Sequence, residues 1–295
     1  MSSVVSFIKQ PKDFEYFALS SLEGASKILL AYGEDAHILA GGTDVVPNMK
    51  RGHLSPKSIV NIKKIPNLSY IYIEDSILKI GALTTIEDIR KSSLIRDNYQ
   101  ALHMASEVMG TQNIRNVATI AGNVCRASPA SDMIPPLMAL EADLKIFGPD
   151  GGRIVPLEDF LVGPEKTQLG IGEIVTEIRV TKQPKKQAFP KSKRVSHDLA
   201  KINICAVFDY SENRCSNIRI TVGSVAPKVV RVQRTEKFLE SKELKDEVID
   251  EAGRIAQTEI NPITDVRSTS DYRRKMGKVL LKRVIKTALE RGIAL

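Results

Sequence analysis

Short apolar runs separated by polar turns dominate the first part of the chain, a pattern typical of small α+β units. Four of these runs predict strands, at 37–40, 59–62, 69–74 and 77–82. Asp75-Ser76 separates the last two runs and predicts a hairpin between them. Helical spacing of apolar positions predicts three helices, at 22–32, 86–92 and 99–109. Ser20 and Thr84, each followed three residues later by a glutamate, match the capping box that opens a helix.

A second α+β segment begins near residue 176. Strand-like runs at 203–210 and 218–222 surround the polar turn 211–214, which predicts another hairpin. Helical patterns follow at 234–239 and 245–258. A long final helix carries an apolar stripe that we expect in the core: Tyr272, Met276, Val279, Leu280, Val284 and Ala288. The pattern therefore predicts a C-terminal domain in which helices pack on antiparallel strands.

The stretch from Thr119 to Asp132 interrupts the apolar pattern with small and polar residues. Gly122 allows a ligand to approach the backbone closely, and hydroxyl, amide and carboxylate groups surround it. Pro129 stiffens the turn, and Pro135-Pro136 ends it before the next apolar run. Two interpretations stay open: a rigid loop that lines a bound cofactor, or a polar loop without a ligand.

Another glycine-containing stretch, Ala40 to Asp44, directly follows a predicted strand. In its Gly41-Gly42 turn, consecutive backbone N–H groups have no side chains in the way, which suits a pyrophosphate. Thr43 adds a hydroxyl donor. An ordinary turn is the alternative, because Gly-Gly is common in turns.

The composition is that of an ordinary globular protein. Hydrophobic residues make up 42% and charged residues 26% of 295 residues, a length that allows two or three domains. No apolar run approaches the roughly 20 residues of a membrane helix, and Met1–Lys9 lacks the pattern of a signal peptide. Cys125, Cys205 and Cys215 lie too far apart to indicate disulfides, an iron–sulfur cluster or a zinc site. We therefore expect a cytoplasmic protein.

The net charge of +8 is mild for a chain of this length. With no tryptophan and 5% aromatic residues, the chain lacks the stacking surface typical of many single-strand nucleic-acid binders. The densest basic run, Lys182 to Arg194, is interpreted as a solvated loop, with a docking surface for an acidic partner subunit as the alternative.

The two glycine-containing stretches also carry a resemblance to a known family. Residues 40–44 with 49–52 resemble the first flavin motif of the FAD-binding subunit of molybdenum hydroxylases, which include xanthine dehydrogenase and carbon monoxide dehydrogenase. Residues 112–123, continued by 127–132, resemble the second motif, and 198–201 and 265–274 resemble the C-terminal domain. The family usually has Gly-Gly where this chain has Ala121-Gly122, a change that adds little volume.

This resemblance implies an α+β architecture with the two-subdomain FAD-binding fold of the vanillyl-alcohol-oxidase/PCMH type. A C-terminal α+β domain follows. The expected limits are 1–57 and 58–176 for the two FAD-binding subdomains and 177–295 for the C-terminal domain.

Site residues follow by position from the same resemblance. The FAD diphosphate and neighbouring groups would contact Leu39, Ala40, Gly41, Gly42, Thr43, Asp44, Val45, Thr119, Ile120, Ala121, Gly122 and Asn123. Asp132 would accept hydrogen bonds from ribose or ribityl hydroxyls, because its charge repels phosphates. Leu169 would pack near the flavin. Lys201 would place a positive charge beside the pyrimidine end of the ring, unless it is a strand-edge surface lysine.

The resemblance also implies partners. An iron–sulfur small subunit would carry the [2Fe–2S] clusters and a molybdopterin large subunit would oxidise the substrate, together forming a dimer of heterotrimers. Electrons would pass from the clusters through noncovalent FAD to NAD or another acceptor, so the chain itself needs no catalytic residue.

Two other functions stay open. A self-contained flavin oxidase often attaches FAD covalently through a histidine, but none of the four histidines lies in a glycine-containing stretch: His37, His53, His103 and His197. The second is a basic nucleic-acid-binding protein without a cofactor.

Overall fold

The computed structural model describes residues 13–181 and 184–291. Residues 1–9, inspected above for a signal peptide, and Lys182 of the basic run lie outside the described residues. The strands are β1 (Glu15–Ala18), β2 (Ala36–Leu39), β3 (Ser58–Asn61), β4 (Ile71–Glu74), β5 (Ile77–Gly81), β6 (Asp143–Phe147), β7 (Arg153–Pro156), β8 (Leu161–Gly163), β9 (Lys166–Thr167), β10 (Ile174–Val180), β11 (Lys186–Ala188), β12 (Lys191–Ser192), β13 (Ile202–Ser211), β14 (Arg214–Gly223) and β15 (Val230–Arg231). The helices are α1 (Leu22–Tyr32), α2 (Val45–Arg51), α3 (Ile86–Lys91), α4 (Ser93–Asn98), α5 (Gln100–Val108), α6 (Gln112–Arg115), α7 (Ile120–Cys125), α8 (Ile134–Ala139), α9 (Leu157–Phe160), α10 (Gln233–Leu239), α11 (Asp246–Glu259) and α12 (Ser270–Arg291).

The first sheet consists of three parallel strands in the order β1-β3-β2. The connections between parallel strands need a crossover, which α1 and α2 supply. Ala25 and Leu29 of α1 pack with Val60 of β3 in a small apolar core. Because β2 ends at Leu39, the Gly41-Gly42 turn lies at the carboxyl end of the sheet, where open sheets of this kind bind ligands.

The second sheet is antiparallel, with the strand order β4-β5-β10-β6-β7. β4 and β5 form the predicted hairpin, and Asp75 and Ser76 have φ values of 51° and 62°, as a tight turn with two left-handed residues requires. The largest apolar core of the described residues covers this sheet, and it includes Ile120 and Val124 of α7. The second glycine-containing stretch therefore rests directly on that core.

The third sheet has the order β11-β13-β14-β15, with β12 also paired to β13, and all its pairings are antiparallel. The predicted hairpin joins β13 to β14 through Glu212-Asn213, both with positive φ. A separate core packs this sheet against α11 and α12. The expected C-terminal domain of antiparallel strands and helices is confirmed, and with it the α+β class.

Two helices begin one residue later than the capping boxes predict. Ser21, not Ser20, caps α1, and its hydroxyl accepts the N–H of Gly24 at 3.1 Å. Thr85 caps α3 in a capping box with Asp88, because the Thr84 hydroxyl instead bonds to the backbone of Tyr70. Adjacent hydroxyl residues make either one a possible cap, so the pattern alone could not choose.

The expected apolar stripe of α12 is wrong for two members. Tyr272 and Val279 are 40% and 42% exposed. The buried face runs instead through Leu280, Leu281, Val284, Ile285 and Ala288. It extends toward the start of the helix through Arg273, which is 3% exposed.

Two expected domain limits fall inside a sheet. β3 begins at Ser58 yet pairs with β1 and β2, so the limit at 57 separates it from its own sheet. β10 runs across the limit at 176. Limits that keep each sheet whole fall between β3 and β4 and after β10, and we propose these.

Among the described residues, no helix has the length and apolar character needed to cross a membrane. The same residues contain no group of three histidine, cysteine or acidic side chains placed to hold a metal ion. Cys125, Cys205 and Cys215 are free thiols. Burial raises the pKa of Cys125 to about 12, so this thiol stays protonated at neutral pH.

Candidate functional site

The turn after β2 presents a row of backbone donors. The N–H groups of Gly41, Gly42 and Thr43 donate no hydrogen bond to the part of the chain that the structure describes. The carbonyls of Gly42 and Asp44 accept N–H groups of α2 at 3.1 Å, which fixes the turn on the helix. Gly42 has a φ of 77°, a conformation that favours glycine. Three consecutive available donors form a nest for an anion such as a diphosphate.

Gly41 also contacts the two residues that lead into the second glycine-containing stretch. A Cβ at this position would overlap the carbonyl oxygen of Val117 and lie 3.0 Å from the Cα of Ala118. Glycine is therefore the residue that lets these backbones touch. The structure thus brings the two stretches together, one from each of the first two sheets.

The second stretch forms the short helix α7 where the sequence predicts a loop. Thr119 caps it, with its hydroxyl accepting the N–H of Gly122 at 3.2 Å. The N–H groups of Ile120 and Ala121 donate to the carbonyls of Thr84 and Ala82, and both side chains are buried. These residues position the helix, whereas Gly122 is exposed and Asn123 is partly exposed at the surface.

The end of the second stretch also differs from expectation. Pro135 and Pro136 lie in the first turn of α8 and do not end a turn. Proline is tolerated there because the first N–H groups of a helix have no helical partner. Ser131 satisfies the N–H groups of Met133 and Ile134, each at 3.2 Å.

The side chain of Asn123 is fixed by its neighbour in space. Ser131 donates its hydroxyl hydrogen to Asn123 Oδ1 at 2.6 Å. Within the described residues, the amide NH₂ of Asn123 has no acceptor. A side chain held by its oxygen alone leaves two donors for a ligand.

Asp132 lies in a buried ion pair with the C-terminal domain. Its Oδ2 lies 2.7 Å from Nζ of Lys191, and its Oδ1 accepts the side-chain amide of Asn203 at 3.2 Å. The Asp132 and Lys191 side chains are 5% and 2% exposed. Burial raises the pKa of Asp132, while Lys191 and Asn203 act in the opposite direction. This position favours a structural role over the expected role as acceptor for cofactor hydroxyls.

Lys191 was missed because it lies in the basic run interpreted as a solvated loop, an interpretation that is wrong for this residue. It belongs to β12 and its side chain is almost fully buried. The apolar Ala188-Phe189 just before it was the available signal. A lysine beside a buried segment turns its amine inward when a buried carboxylate lies within reach.

Lys201 and Leu169 flank this region. Lys201 Nζ lies 5.4 Å from the ring centroid of Tyr272, a cation–π contact. Its neighbour Ala200 is tied to the second stretch, because Ser224 donates both to the Ala200 carbonyl at 3.1 Å and to the Pro129 carbonyl at 2.8 Å. Leu169 packs at the edge of the main core after β9. Roles beside the flavin stay predictions for both.

Arg126 connects three segments of the site and was not singled out from the sequence. Its Nε lies 3.3 Å from Asp44 Oδ1 and its Nη2 lies 2.7 Å from Glu165 Oε1. Arg126 thereby compensates the Asp44 carboxylate beside the anion nest. A cation in a stretch of small residues was the signal that could have marked it.

Glu87 anchors the segment that enters the second stretch. It is 4% exposed and pairs with Arg90 at 2.6 Å and Arg115 at 3.1 Å. Arg115 also donates to the carbonyls of Met109 and Gly110. The hydrogen bond from Arg90 lowers the pKa of Glu87 to about 2, with Arg115 adding to this effect and burial opposing it.

This shift predicts an acid-dependent loss of stability. Because the pKa of Glu87 is lower in the folded chain than its usual 4.5, its contribution is present above that value and is lost as the pH falls toward 2. We expect the difference in unfolding free energy between the wild type and Glu87→Gln to shrink by ~1–2 kcal/mol from about pH 5 to about pH 3. Urea unfolding at each pH measures it, and a constant difference would contradict the assignment.

Two family models match the chain. The FAD binding domain in molybdopterin dehydrogenase matches residues 12–183. The CO dehydrogenase flavoprotein C-terminal domain matches residues 187–288. Together they cover both parts of the fold described above.

Several relatives match over most of the chain. The glyceraldehyde dehydrogenase medium chain of Sulfolobus acidocaldarius is 32% identical over 94% of this chain and 98% of its own length. The carbon monoxide dehydrogenase medium chain of Hydrogenophaga pseudoflava is 32% identical over 95% and 99%. The xanthine dehydrogenase FAD-binding subunit of Escherichia coli O157:H7 is 29% identical over 88% and 91%.

Solved structures share the fold. Carbon monoxide dehydrogenase from Hydrogenophaga pseudoflava superposes with a TM-score of 0.92 at 32% identity, covering 95% of this chain and 99% of that chain. Quinoline 2-oxidoreductase from Pseudomonas putida 86 gives 0.91 at 25% identity, covering 97% and 100%. The expected PCMH-type FAD-binding fold with its additional C-terminal domain is therefore confirmed.

Proposed function

The chain belongs to the family of FAD-binding medium subunits of molybdopterin hydroxylases, and from this membership we propose that it passes electrons through noncovalent FAD to an external acceptor. Membership confirms the resemblance carried by the two glycine-containing stretches, and it confirms a flavoprotein subunit of a molybdenum-containing oxidoreductase. FAD, when bound, supplies the electron-accepting ring, and the protein supplies its binding and orientation.

The observation that carries the proposal is the nest at Gly41–Thr43 against the second stretch. Three consecutive N–H groups without partners in the described residues suit the two negative charges of a diphosphate. Gly41 holds this nest directly on Val117 and Ala118. This contact supports a flavin site built from both FAD-binding subdomains.

The site residues divide into two groups under this proposal. The residues proposed to touch FAD are Leu39, Ala40, Gly41, Gly42, Thr43, Gly122, Asn123, Leu169 and Lys201. Thr119, Ile120, Ala121 and Asp132 are proposed to position them, since their polar groups bond within the protein or their side chains are buried. Asp44 is held by Arg126 and Val45 begins α2, so both stabilise the nest.

The chain is the medium subunit of a complex of the carbon monoxide dehydrogenase type. We propose that an iron–sulfur small subunit and a molybdopterin large subunit complete this complex as a dimer of heterotrimers. We propose NAD or another acceptor for the electrons, and a cytoplasmic location.

Reconstitution tests the cofactor. The purified chain, mixed with FAD and desalted, is expected to retain a flavin spectrum with an equimolar amount of cofactor, because the nest and the second stretch are preformed. Acid precipitation is expected to release the flavin into the supernatant, as noncovalent binding requires. The control is riboflavin, which lacks the diphosphate and is expected to bind far more weakly.

Each other outcome favours a different function. Flavin retained in the acid pellet would indicate a covalent bond and support a self-contained flavin oxidase. A colourless chain that cannot be loaded with FAD would overturn the proposal. Binding of nucleic acid with a steep salt dependence by such a colourless chain would support the basic nucleic-acid-binding alternative.

A further inference from the structure

The guanidinium of Arg126 lies beside the backbone nest of residues 41–43. Its Nε lies 3.3 Å from Oδ1 of Asp44, the residue that directly follows the last N–H group of the nest, that of Thr43. The Arg126 side chain is 30% exposed, so part of it is open to solvent. A group bound at the nest would therefore lie close to this cation.

Two acidic residues from different segments hold the guanidinium in place. Asp44 lies on the nest side, and Oε1 of Glu165, in the turn between β8 and β9, lies 2.7 Å from Nη2. That turn is also bound to the backbone next to Arg126, because the Glu165 N–H donates to the carbonyl of Ala127 at 3.3 Å. A long side chain thus loses much of its freedom before a ligand arrives, which lowers the ordering cost of binding.

Part of the hydrogen-bonding capacity of Arg126 stays unused. An arginine side chain has more N–H donors than two acceptors occupy. In the part of the chain that the structure describes, Asp44 and Glu165 approach Nε and Nη2, and no acceptor lies at Nη1. The N–H groups of Nη1 are therefore available to a ligand. A planar guanidinium matches phosphate oxygens in a two-point contact, which a lysine ammonium does not provide.

The present partners of Arg126 are well solvated. The side chains of Asp44 and Glu165 are 54% and 65% exposed, and ion pairs with such exposed carboxylates are weak. A diphosphate at the nest would bring further negative charge beside the Asp44 carboxylate, a like-charge arrangement that requires a cation. Arg126 can turn donors toward a diphosphate with little loss from these pairs.

We propose that Arg126 binds the FAD diphosphate together with the nest. This rests on the proposed function. The nest supplies neutral N–H groups, whereas Arg126 supplies a full positive charge, and hydrogen bonds that involve an ion are roughly twice as strong as those between neutral groups. Asp44 and Glu165 are positioning residues in this arrangement, because they hold the guanidinium at the edge of the nest.

Binding of two ligands to the purified full chain tests this contact. Arg126→Gln is expected to lower the affinity for FAD by roughly tenfold or more, the contribution of a hydrogen bond between charged groups. ADP shares the diphosphate but lacks the flavin, and its affinity is expected to fall by the same factor. Equilibrium dialysis measures both ligands. A loss for FAD alone would place Arg126 on another part of the cofactor and overturn the diphosphate contact.

A second variant separates direct contact from compensation of charge. Arg126→Gln is repeated in the Asp44→Asn background, where no carboxylate beside the nest needs a countercharge. A direct contact predicts a loss of FAD affinity of similar size in both backgrounds. The matched control is Arg219→Gln in β14, expected to bind FAD like the wild type. Arg219 is also 30% exposed and pairs with Glu141 at 3.0 Å.

Two further results overturn the contact. An Arg126→Gln chain with wild-type FAD affinity rejects it, and a loss that disappears in the Asp44→Asn background reduces Arg126 to a countercharge for Asp44. If Arg126→Gln does not fold, Arg126→Lys replaces it and is expected to bind FAD several-fold more weakly, because an ammonium lacks the two-point geometry. Wild-type affinity of that variant rejects the contact as well. A wild-type chain that cannot hold FAD overturns the proposed function instead.

Discussion

Gly41→Val is expected to weaken FAD binding strongly. The new Cβ alone would overlap the carbonyl oxygen of Val117, and no rotamer relieves a clash with backbone. The first stretch must then separate from the second, and the nest loses its place against α7. Overpacking of this kind costs about 1–3 kcal/mol, which corresponds to a loss of FAD affinity of roughly fivefold to 150-fold. Titration of the purified variant with FAD measures the loss.

A glycine with room around it provides the control. A Cβ at Gly163 in β8 would meet nothing within 4 Å, so Gly163→Val is expected to bind FAD normally. Circular dichroism shows whether Gly41→Val keeps its secondary structure, which rests on separate cores in the three sheets. A folded Gly41→Val variant with normal FAD affinity would show that the two stretches do not form one site.

Lys191→Met is expected to destabilise the protein by about 3–5 kcal/mol, because it leaves the Asp132 carboxylate buried without its cation. Methionine fills a similar volume, so the loss is chiefly electrostatic. Since burial raises the pKa of Asp132, the folded variant would bind a proton that the unfolded chain releases. The destabilisation is therefore expected to shrink as the pH falls. Urea unfolding followed by circular dichroism measures both effects.

Two further variants make this result specific. Lys185→Met changes an exposed lysine of the same basic run and is expected to shift the unfolding free energy by less than about 0.5 kcal/mol. The double variant Lys191→Met/Asp132→Asn removes both charges and is expected to recover much of the lost stability. A single Lys191→Met variant as stable as the wild type would mean that the pair is solvated in solution.

The sequence predicts the elements well where local chemistry decides them. The hairpins at Asp75-Ser76 and Glu212-Asn213 form because polar residues adopt left-handed turns between apolar runs. The position of a helix cap was less certain, since Ser20 and Ser21 both carry a suitable hydroxyl. The short helix α7 was missed because Gly122 and Asn123 are weak helix formers, and the cap at Thr119 and the core beneath Ile120 outweigh that preference.

The candidate site depends on long-range contacts that local sequence patterns do not predict. The Gly41-Gly42 turn was correctly placed after a strand, but nothing near it in sequence encodes the contact with Val117. Lys191 and Asp132 are 59 positions apart, and each looks like a surface residue in its own segment. Only the folded structure shows that these two charges are buried together. Their ion pair connects the second glycine-containing stretch to the C-terminal domain. The family resemblance pointed to Lys201 and not to Lys191. The amine of Lys201 lies over the ring of Tyr272.

The bonds from the C-terminal domain to the second glycine-containing stretch have a consequence for biosynthesis. Asp132 and the carbonyls of Pro129 and Ser131 take their partners from Lys191, Asn203 and Ser224, all of which leave the ribosome later. The stretch therefore emerges with a carboxylate and two carbonyls that only downstream residues can satisfy. Loading with flavin is then expected to follow completion of the chain, and residues 1–181 alone would not form an autonomous flavin-binding unit.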